Sequence, residues 1–285
     1  MQPLVESFFD TSTSTFSHVV HAGRGTPCAI VDSVLGFDRK SGRTDTRGAD
    51  AIQAFMEANA LEAVWHLETH AHADHLSAAA YLQGRAGGKI AAGEGIVGVR
   101  RTFEKIYNLR ADGERPEFDH VFADGETFEI GALSARALSR PGHTPADLAF
   151  EIDGSAVFVG DTLFQPDVGT ARCDFPGGDA RALFHSIRAL LGMGDDVRLY
   201  MCHDYPTNGR APRPFCTVGE QRRLNIHIRD GICLDDFVAL RARRDAGLEM
   251  PELLLPSIQV NIRAGRLPEP EDNGVRYLRL PLDAL

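Results

Sequence analysis

Short apolar runs of period two and longer runs of helical period succeed one another along the chain, which predicts a mixed α/β fold. Residues 16–21 and 28–34 read as strands, and residues 50–59 read as a helix because Ile52, Phe55 and Met56 share one face. Residues 63–67 form the next strand; the polar stretch 68–74 leaves it and leads into a helix from about 75 to 82. Residues 89–92 read as a short buried strand and 95–107 as a helix ending near Asn108. The pattern then turns to β, with strands over 127–130, 133–138, 149–152 and 156–159 and hairpin turns at Asp124-Gly125 and Asp153-Gly154. A helix over 179–191 buries Leu183, Ile187, Leu190 and Leu191, and a strand over 197–201 follows it. Two more helices, 218–229 and 234–246, precede a tail broken by Pro251, Pro256, Pro268 and Pro270.

Each half of this pattern runs from hairpins into a strand, a polar loop and a helix, so the expected architecture is two βα layers packed face to face. No linker forces a cut in 285 residues, which predicts one domain over 1–285, with a core of about 16–217 and a helical, proline-rich extension over about 218–285. That extension could cover an active-site edge or form a homo-oligomer contact. Hydrophobic residues at 43% and charged residues at 25% suffice for a sizeable core and exclude global disorder. A net charge of -10 repels phosphate backbones and anionic lipid, so neither nucleic acid nor a membrane is an expected partner. With no apolar run near the ~20 residues of a membrane span and no signal-like start, the cytoplasm is the expected location. The five cysteines (Cys28, Cys173, Cys202, Cys216, Cys233) form no C-x-x-C pair, and most read as small buried hydrophobes rather than a disulfide framework.

The chemistry concentrates in Thr69-His70-Ala71-His72-Ala73-Asp74-His75, where three histidines and an aspartate crowd a loop straight after an apolar strand. His70 and His72, two apart in an extended loop, can aim at one ion, while Asp74 and His75 aim at a neighbouring position. Helix capping by Asp74 would not require three histidines. His143 after Pro141-Gly142, Asp161 after Gly160, and His203-Asp204-Tyr205 each sit where a strand stops, so all four segments can meet on one rim. Glycine before His143 and Asp161 permits the close approach and unusual φ of a crowded site. His18, His21, His66, His120, His185 and His227 lack companions and read as scaffold or surface.

The H-x-H-x-D-H loop with its later Gly-His, Gly-Asp and His elements resembles the metallo-β-lactamase superfamily, which implies a four-layer αββα sandwich with the metal site along one edge. Within it, the T-H-A-H-A-D-H loop, Gly160-Asp161-Thr162-Leu163-Phe164 through Gly169-Thr170-Ala171-Arg172-Cys173-Asp174-Phe175, and His203-Asp204-Tyr205 are similar to persulfide dioxygenases; Ile258-Gln259-Val260-Asn261 is similar to their bacterial β-lactamase-like hydrolase branch. The resemblance implies one Fe(II) per chain held by His70, His143 and Asp161, a two-histidine, one-carboxylate face that leaves positions for a persulfide sulfur and O2. It implies that His72, Asp74, His75 and His203 orient these ligands by hydrogen bonding, that Arg172 contacts glutathione, and that Tyr205 donates to substrate. The implied reaction, part of sulfide detoxification, converts glutathione persulfide, O2 and water to glutathione and sulfite. Two other readings stay open: a binuclear Zn(II) hydrolase of the glyoxalase II or lactonase kind, using Asp74, His75, His203 and a bridging Asp161, and a catalytically idle metal-bound binding module.

Overall fold

The computed structural model describes residues 2–109 and 117–284. The chain opens with β1 (Leu4–Asp10), β2 (Thr15–His21) and β3 (Pro27–Val31), an antiparallel meander, then the hairpin β4 (Val34–Asp38) and β5 (Arg43–Asp45). Helix α1 (Arg47–Ala58), β6 (Glu62–Leu67), β7 (Leu76–Ser77), α2 (Ala79–Ala86), β8 (Lys89–Gly93), α3 (Ile96–Ile106) and β9 (His120–Phe122) follow. Parallel pairing of β3 with β6, β6 with β8 and β8 with β9 completes a sheet of order β1-β2-β3-β6-β8-β9.

The second half supplies β10 (Thr127–Ile130), β11 (Leu133–Ser139), β12 (Leu148–Ile152), β13 (Ala156–Phe158), α4 (Ala180–Leu191), β14 (Arg198–Tyr200) and β15 (Phe215–Thr217), paired in sequence order as the second sheet. It closes with α5 (Val218–Leu224), α6 (Leu234–Asp245) and α7 (Leu254–Asn261).

Strand periodicity makes the four layers. Val20, Ala29, Val31 and Leu67 of the first sheet meet Ala135, Ala137, Phe150 and Phe158 of the second in one apolar cluster between the sheets. The alternate residues face outward: Val19, Cys28 and Ile30 pack on Ile52 and Met56 of α1, while Leu138, Ala149 and Val157 pack on Leu183, Ile187 and Leu190 of α4. This is the face-to-face βα arrangement that the sequence predicts. Asp179 caps α4 by accepting from the N–H of Arg181 at 2.6 Å and of Ala182 at 3.1 Å.

Four local expectations need correction. Asp124-Gly125 is not a hairpin turn, because β9 and β10 belong to different sheets; the two-residue turn lies at Gly131-Ala132, where Ile130 pairs with Leu133. The helix expected from residue 75 starts at Ala79, since Leu76 and Ser77 pair with Leu35 and Val34 instead. The helix expected over 218–229 ends at Leu224, where Asn225 turns the chain by accepting from the N–H of His227 and Ile228. The tail is not merely broken: α7 forms through Pro256, which sits in its first turn where a missing N–H costs no helical bond. β1, absent from the sequence reading, extends the first sheet to Leu4.

Candidate metal centre

The chemistry-bearing segments all leave the strands at one edge. His70, His72, Asp74 and His75 follow β6, His143 follows β11, Asp161 follows β13, and His203 follows β14. Leu148 N donates to Thr69 O at 2.8 Å, and Phe16 N donates to Cys202 O at 2.7 Å, so backbone bonds tie the two sheets together on both sides of the site. Both glycines before a candidate ligand are required. Gly142 has φ +152, and a Cβ there would lie 2.3 Å from Leu183 Cα; Gly160 has φ +53, and a Cβ would lie 2.7 Å from Thr69 Oγ1.

Among the described residues, His70, His143 and Asp161 form one group of buried ligand atoms within 4.8 Å of one another. His143 Nε2 is 3.7 Å and His70 Nε2 4.0 Å from Asp161 Oδ2. The other nitrogens fix the tautomers. His143 Nδ1 donates to Arg172 O at 2.8 Å, and the Thr69 hydroxyl donates to Asp32 Oδ2 at 2.9 Å, which makes it the acceptor for His70 Nδ1 at 3.1 Å. Both Nε2 lone pairs therefore face Asp161. His70 Nε2 and Asp161 Oδ1 are buried without a hydrogen-bond partner, a donor deficit that a cation would fill. Burial, reinforced by the surrounding histidines, pulls His70 well below the usual histidine range and keeps it in its ligating neutral form.

His72 belongs to different groups. Its Nε2 lies 3.0 Å from Asp32 Oδ1 and 3.5 Å from Glu68 Oε2, both buried. Burial opposes charge on this imidazole, but Asp32 outweighs it, so His72 is held well above the usual range and Asp32 below the usual carboxylate range. His203 Nε2 lies 3.2 Å from Asp74 Oδ2 and 3.5 Å from Asp161 Oδ1, and its Nδ1 meets Thr15 Oγ1 at 3.2 Å. Burial disfavours its charged form, and the two carboxylates reverse that, holding it well above the usual range. His75, pulled down to about 3 by burial and by His72, joins His72, Cys202 and His203 in a further group of close donor atoms. Asp74 caps no helix.

A cleft of about 980 Å³ opens over Asp74, His143 and Asp161. Tyr205 and Arg172 line it, as the sequence reading has them near substrate. Tyr205 stacks on His203 with ring centroids 5.8 Å apart and meets Phe164 edge-on. The Arg172 guanidinium is clamped by Asp174 at 2.5 and 2.6 Å and donates to Glu249 O at 2.6 Å, while its carbonyl is what orients His143. Leu248, Pro251 and Leu253 of the C-terminal segment form one wall. Of the cations on the walls, Arg39 pairs with Glu252 and Arg241 with Asp245, whereas Lys40 and Arg244 form no ion pair among the described residues. Sequence reasoning missed Asp32, Glu68, Asp147, Lys40 and Arg244. Asp147 pins the His143 turn by accepting from Thr144 N at 2.7 Å and Thr144 Oγ1 at 2.5 Å. Its signal, Thr144 followed three residues later by a carboxylate, was readable; Asp32, far from the loop in sequence, left none.

Comparison with known proteins gives a consistent outline. The model of the metallo-beta-lactamase superfamily matches residues 14–203. A probable metallo-hydrolase of Burkholderia pseudomallei is 53% identical over 294 residues, covering 99% of each chain. Glyoxylase B2 of Dictyostelium discoideum is 48% identical over 286 residues, covering 99% of this chain and 97% of the relative. The human mitochondrial persulfide dioxygenase ETHE1 is 25% identical over 264 residues, 92% of this chain and 89% of the relative. Among solved structures, ETHE1 from Myxococcus xanthus superposes with a TM-score of 0.73 over 92% of this chain and 100% of its own at 23% identity, a likeness of fold.

Proposed function

The chain belongs to the metallo-beta-lactamase superfamily, and from that footing we propose that it is a mononuclear iron dioxygenase acting on a low-molecular-weight persulfide, glutathione persulfide first among them. The observation that carries the reading is the convergence of His70, His143 and Asp161 as two imidazoles and one carboxylate, with Nε2 of His72 turned away from them toward Asp32 and Glu68. That three-donor face suits ferrous iron with coordination positions left open. The human persulfide dioxygenase among the relatives supports it.

In the overall reaction, glutathione persulfide, O2 and water give glutathione, sulfite and two protons. The bond between the two sulfurs breaks, the outer sulfur loses four electrons, and O2 gains them. Iron bound at His70, His143 and Asp161 would supply the redox chemistry that O2 requires. The chain's own residues do the rest. Thr69 and the Arg172 carbonyl hold the two imidazoles with Nε2 toward Asp161. His203 places Nε2 between Asp74 and Asp161, beside the proposed metal ligands. Phe164 and Tyr205 supply aromatic surface on the cleft wall, and Lys40 and Arg244 offer their charge to substrate carboxylates.

A second reading, a binuclear zinc hydrolase, draws on the proximity of Asp74, His203 and Asp161 and on the relatives named metallo-hydrolase and glyoxylase B2. Oxygen uptake by anaerobically reconstituted protein, with sulfite assayed after glutathione persulfide is added, separates the two. One iron per chain with matched uptake and sulfite is the expected result; no uptake at full iron occupancy, with thioester hydrolysis at two metals per chain, overturns it.

A further inference from the structure

We propose that Asn261, the last residue of α7, is a positioning residue that holds the histidine loop in ligating register, so that the C-terminal segment sets the metal affinity of the site. This rests on the reading of His70, His143 and Asp161 as metal ligands. The loop between β6 and β7 has no strand or helix partner along most of its length, and its carbonyls need donors from elsewhere. Asn261 supplies them. Its Nδ2 donates to His72 O and to His75 O, each at 2.7 Å, and its Oδ1 accepts from Ser77 N at 2.8 Å. Both N–H bonds and the carbonyl of one buried amide are thereby spent on a loop more than 180 residues away in sequence.

The rest of α7 is shaped for the same partner. Leu254 and Ile258, on the face that ends at Asn261, share an apolar cluster with Ala71 and Ala73, the residues that alternate with His70, His72 and Asp74. Val260 shares another cluster with Leu76, just past His75. The alanine spacing of the loop thus acquires a reason: α7 lies against that side. Ser77, the third residue Asn261 holds, donates in turn to Glu68 Oε1 at 2.7 Å, which carries the restraint back to the carboxylate beside His72. Asn261 touches no reacting atom; it acts through the backbone that aims the ligands.

The test is anaerobic titration of the apo full chain with Co(II), reading dissociation constant and visible spectrum, for wild type, Asn261→Ala, Asn261→Asp and Gln259→Ala. Asn261→Asp keeps the shape and the acceptor for Ser77 N but faces two carbonyls with oxygen. Gln259, on the same helix, bonds Leu255 O and the Arg279 backbone and, among the described residues, nothing in the loop, so its removal loosens the tail without touching the loop. Expected is a 10–100-fold loss of affinity with an altered spectrum in both Asn261 variants, while Gln259→Ala stays within about twofold of wild type although its Tm falls. If Asn261→Ala does not fold, Asn261→Asp decides. Wild-type affinity and spectrum in a folded Asn261 variant, or an equal loss in Gln259→Ala, overturns the positioning role. Failure of the wild type to take up metal overturns instead the reading beneath it.

Discussion

At the scale of residues, the site is a contrast between neighbours. His70 and His72 stand two apart, with ring centroids 4.1 Å from each other, yet burial leaves one neutral and Asp32 charges the other. Replacing His143 or Asp161 with Ala should leave the fold intact, abolish turnover and empty the candidate metal site, as read by metal analysis of purified protein. Asp32→Asn should act differently, on stability. It leaves a buried imidazolium short of its partner, at a cost of about 3–5 kcal/mol in urea unfolding. An unchanged unfolding midpoint would show that His72 is not charged by Asp32. Lys40→Ala and Arg244→Ala should each raise KM for an anionic persulfide several-fold with kcat preserved, and added salt should weaken the wild type in the same direction. If kcat falls while KM stays, these cations serve something other than capture.

Elements convert local pattern into placement, and their failures should be local too. Asp179→Ala removes the cap of α4 and should cost about 1 kcal/mol, whereas Gly142→Ala, at the residue whose carbonyl accepts from Asp179 N, drives a Cβ into Leu183 and should misplace His143 as well as destabilise. Strand β2 carries a pH device. His18 is fully buried, with Nε2 donating to Met201 O at 2.9 Å and Nδ1 accepting from Ser7 Oγ at 2.9 Å, and burial pulls it down to about 4. A lowered histidine pKa means that the unfolded chain binds the proton first. Stability is therefore full above about pH 6.5, falls as pH drops from 6.5 toward 4, and levels below that. The loss is about 3 kcal/mol at 1.36 kcal/mol per unit. His18→Gln should reduce this limb of the stability profile in urea titrations by that share, leaving what His70, His75 and His227, pulled down by burial in the same way, contribute; a limb that persists unchanged shows that His18 does not feed it.

Across the whole molecule, the site exists only because two sheets meet. Candidate ligands after β6, β11 and β13 are brought together by the apolar layer of Val31, Leu67, Phe150 and Phe158, and held there by the Phe16 to Cys202 hydrogen bond. Metal that binds this assembled state and not the unfolded chain must stabilise it, by about 2.7 kcal/mol at a free concentration a hundredfold above Kd. Chelation should accordingly lower Tm by several degrees, and returning the metal should restore it. No helix among the described residues is long and apolar enough to cross a membrane.

The sequence by itself determined the layer composition, because strand and helix periods are local: the alternation in β2, β3, β11 and β12 and the Leu183, Ile187, Leu190 face of α4 were readable from neighbours a few residues apart. It also marked the dense histidine loop and the glycines before His143 and Asp161, since both are local anomalies of composition. What the tertiary structure decided is which donors keep company. Asp32 and Glu68 carry no local mark, Asn261 stands in a stretch that carried a family resemblance but no role, and the assignment of His72 Nε2 to Asp32 rather than to the His70 group depends on contacts made when β3 pairs with β6 and α7 closes on the loop. The same holds for β7 and for Asp124-Gly125, where pairing across the molecule overrode the turn and helix signals nearby. Hydrogen bonds between residues far apart in the chain form only once the apolar layers have fixed their distance, and no window of sequence contains that distance.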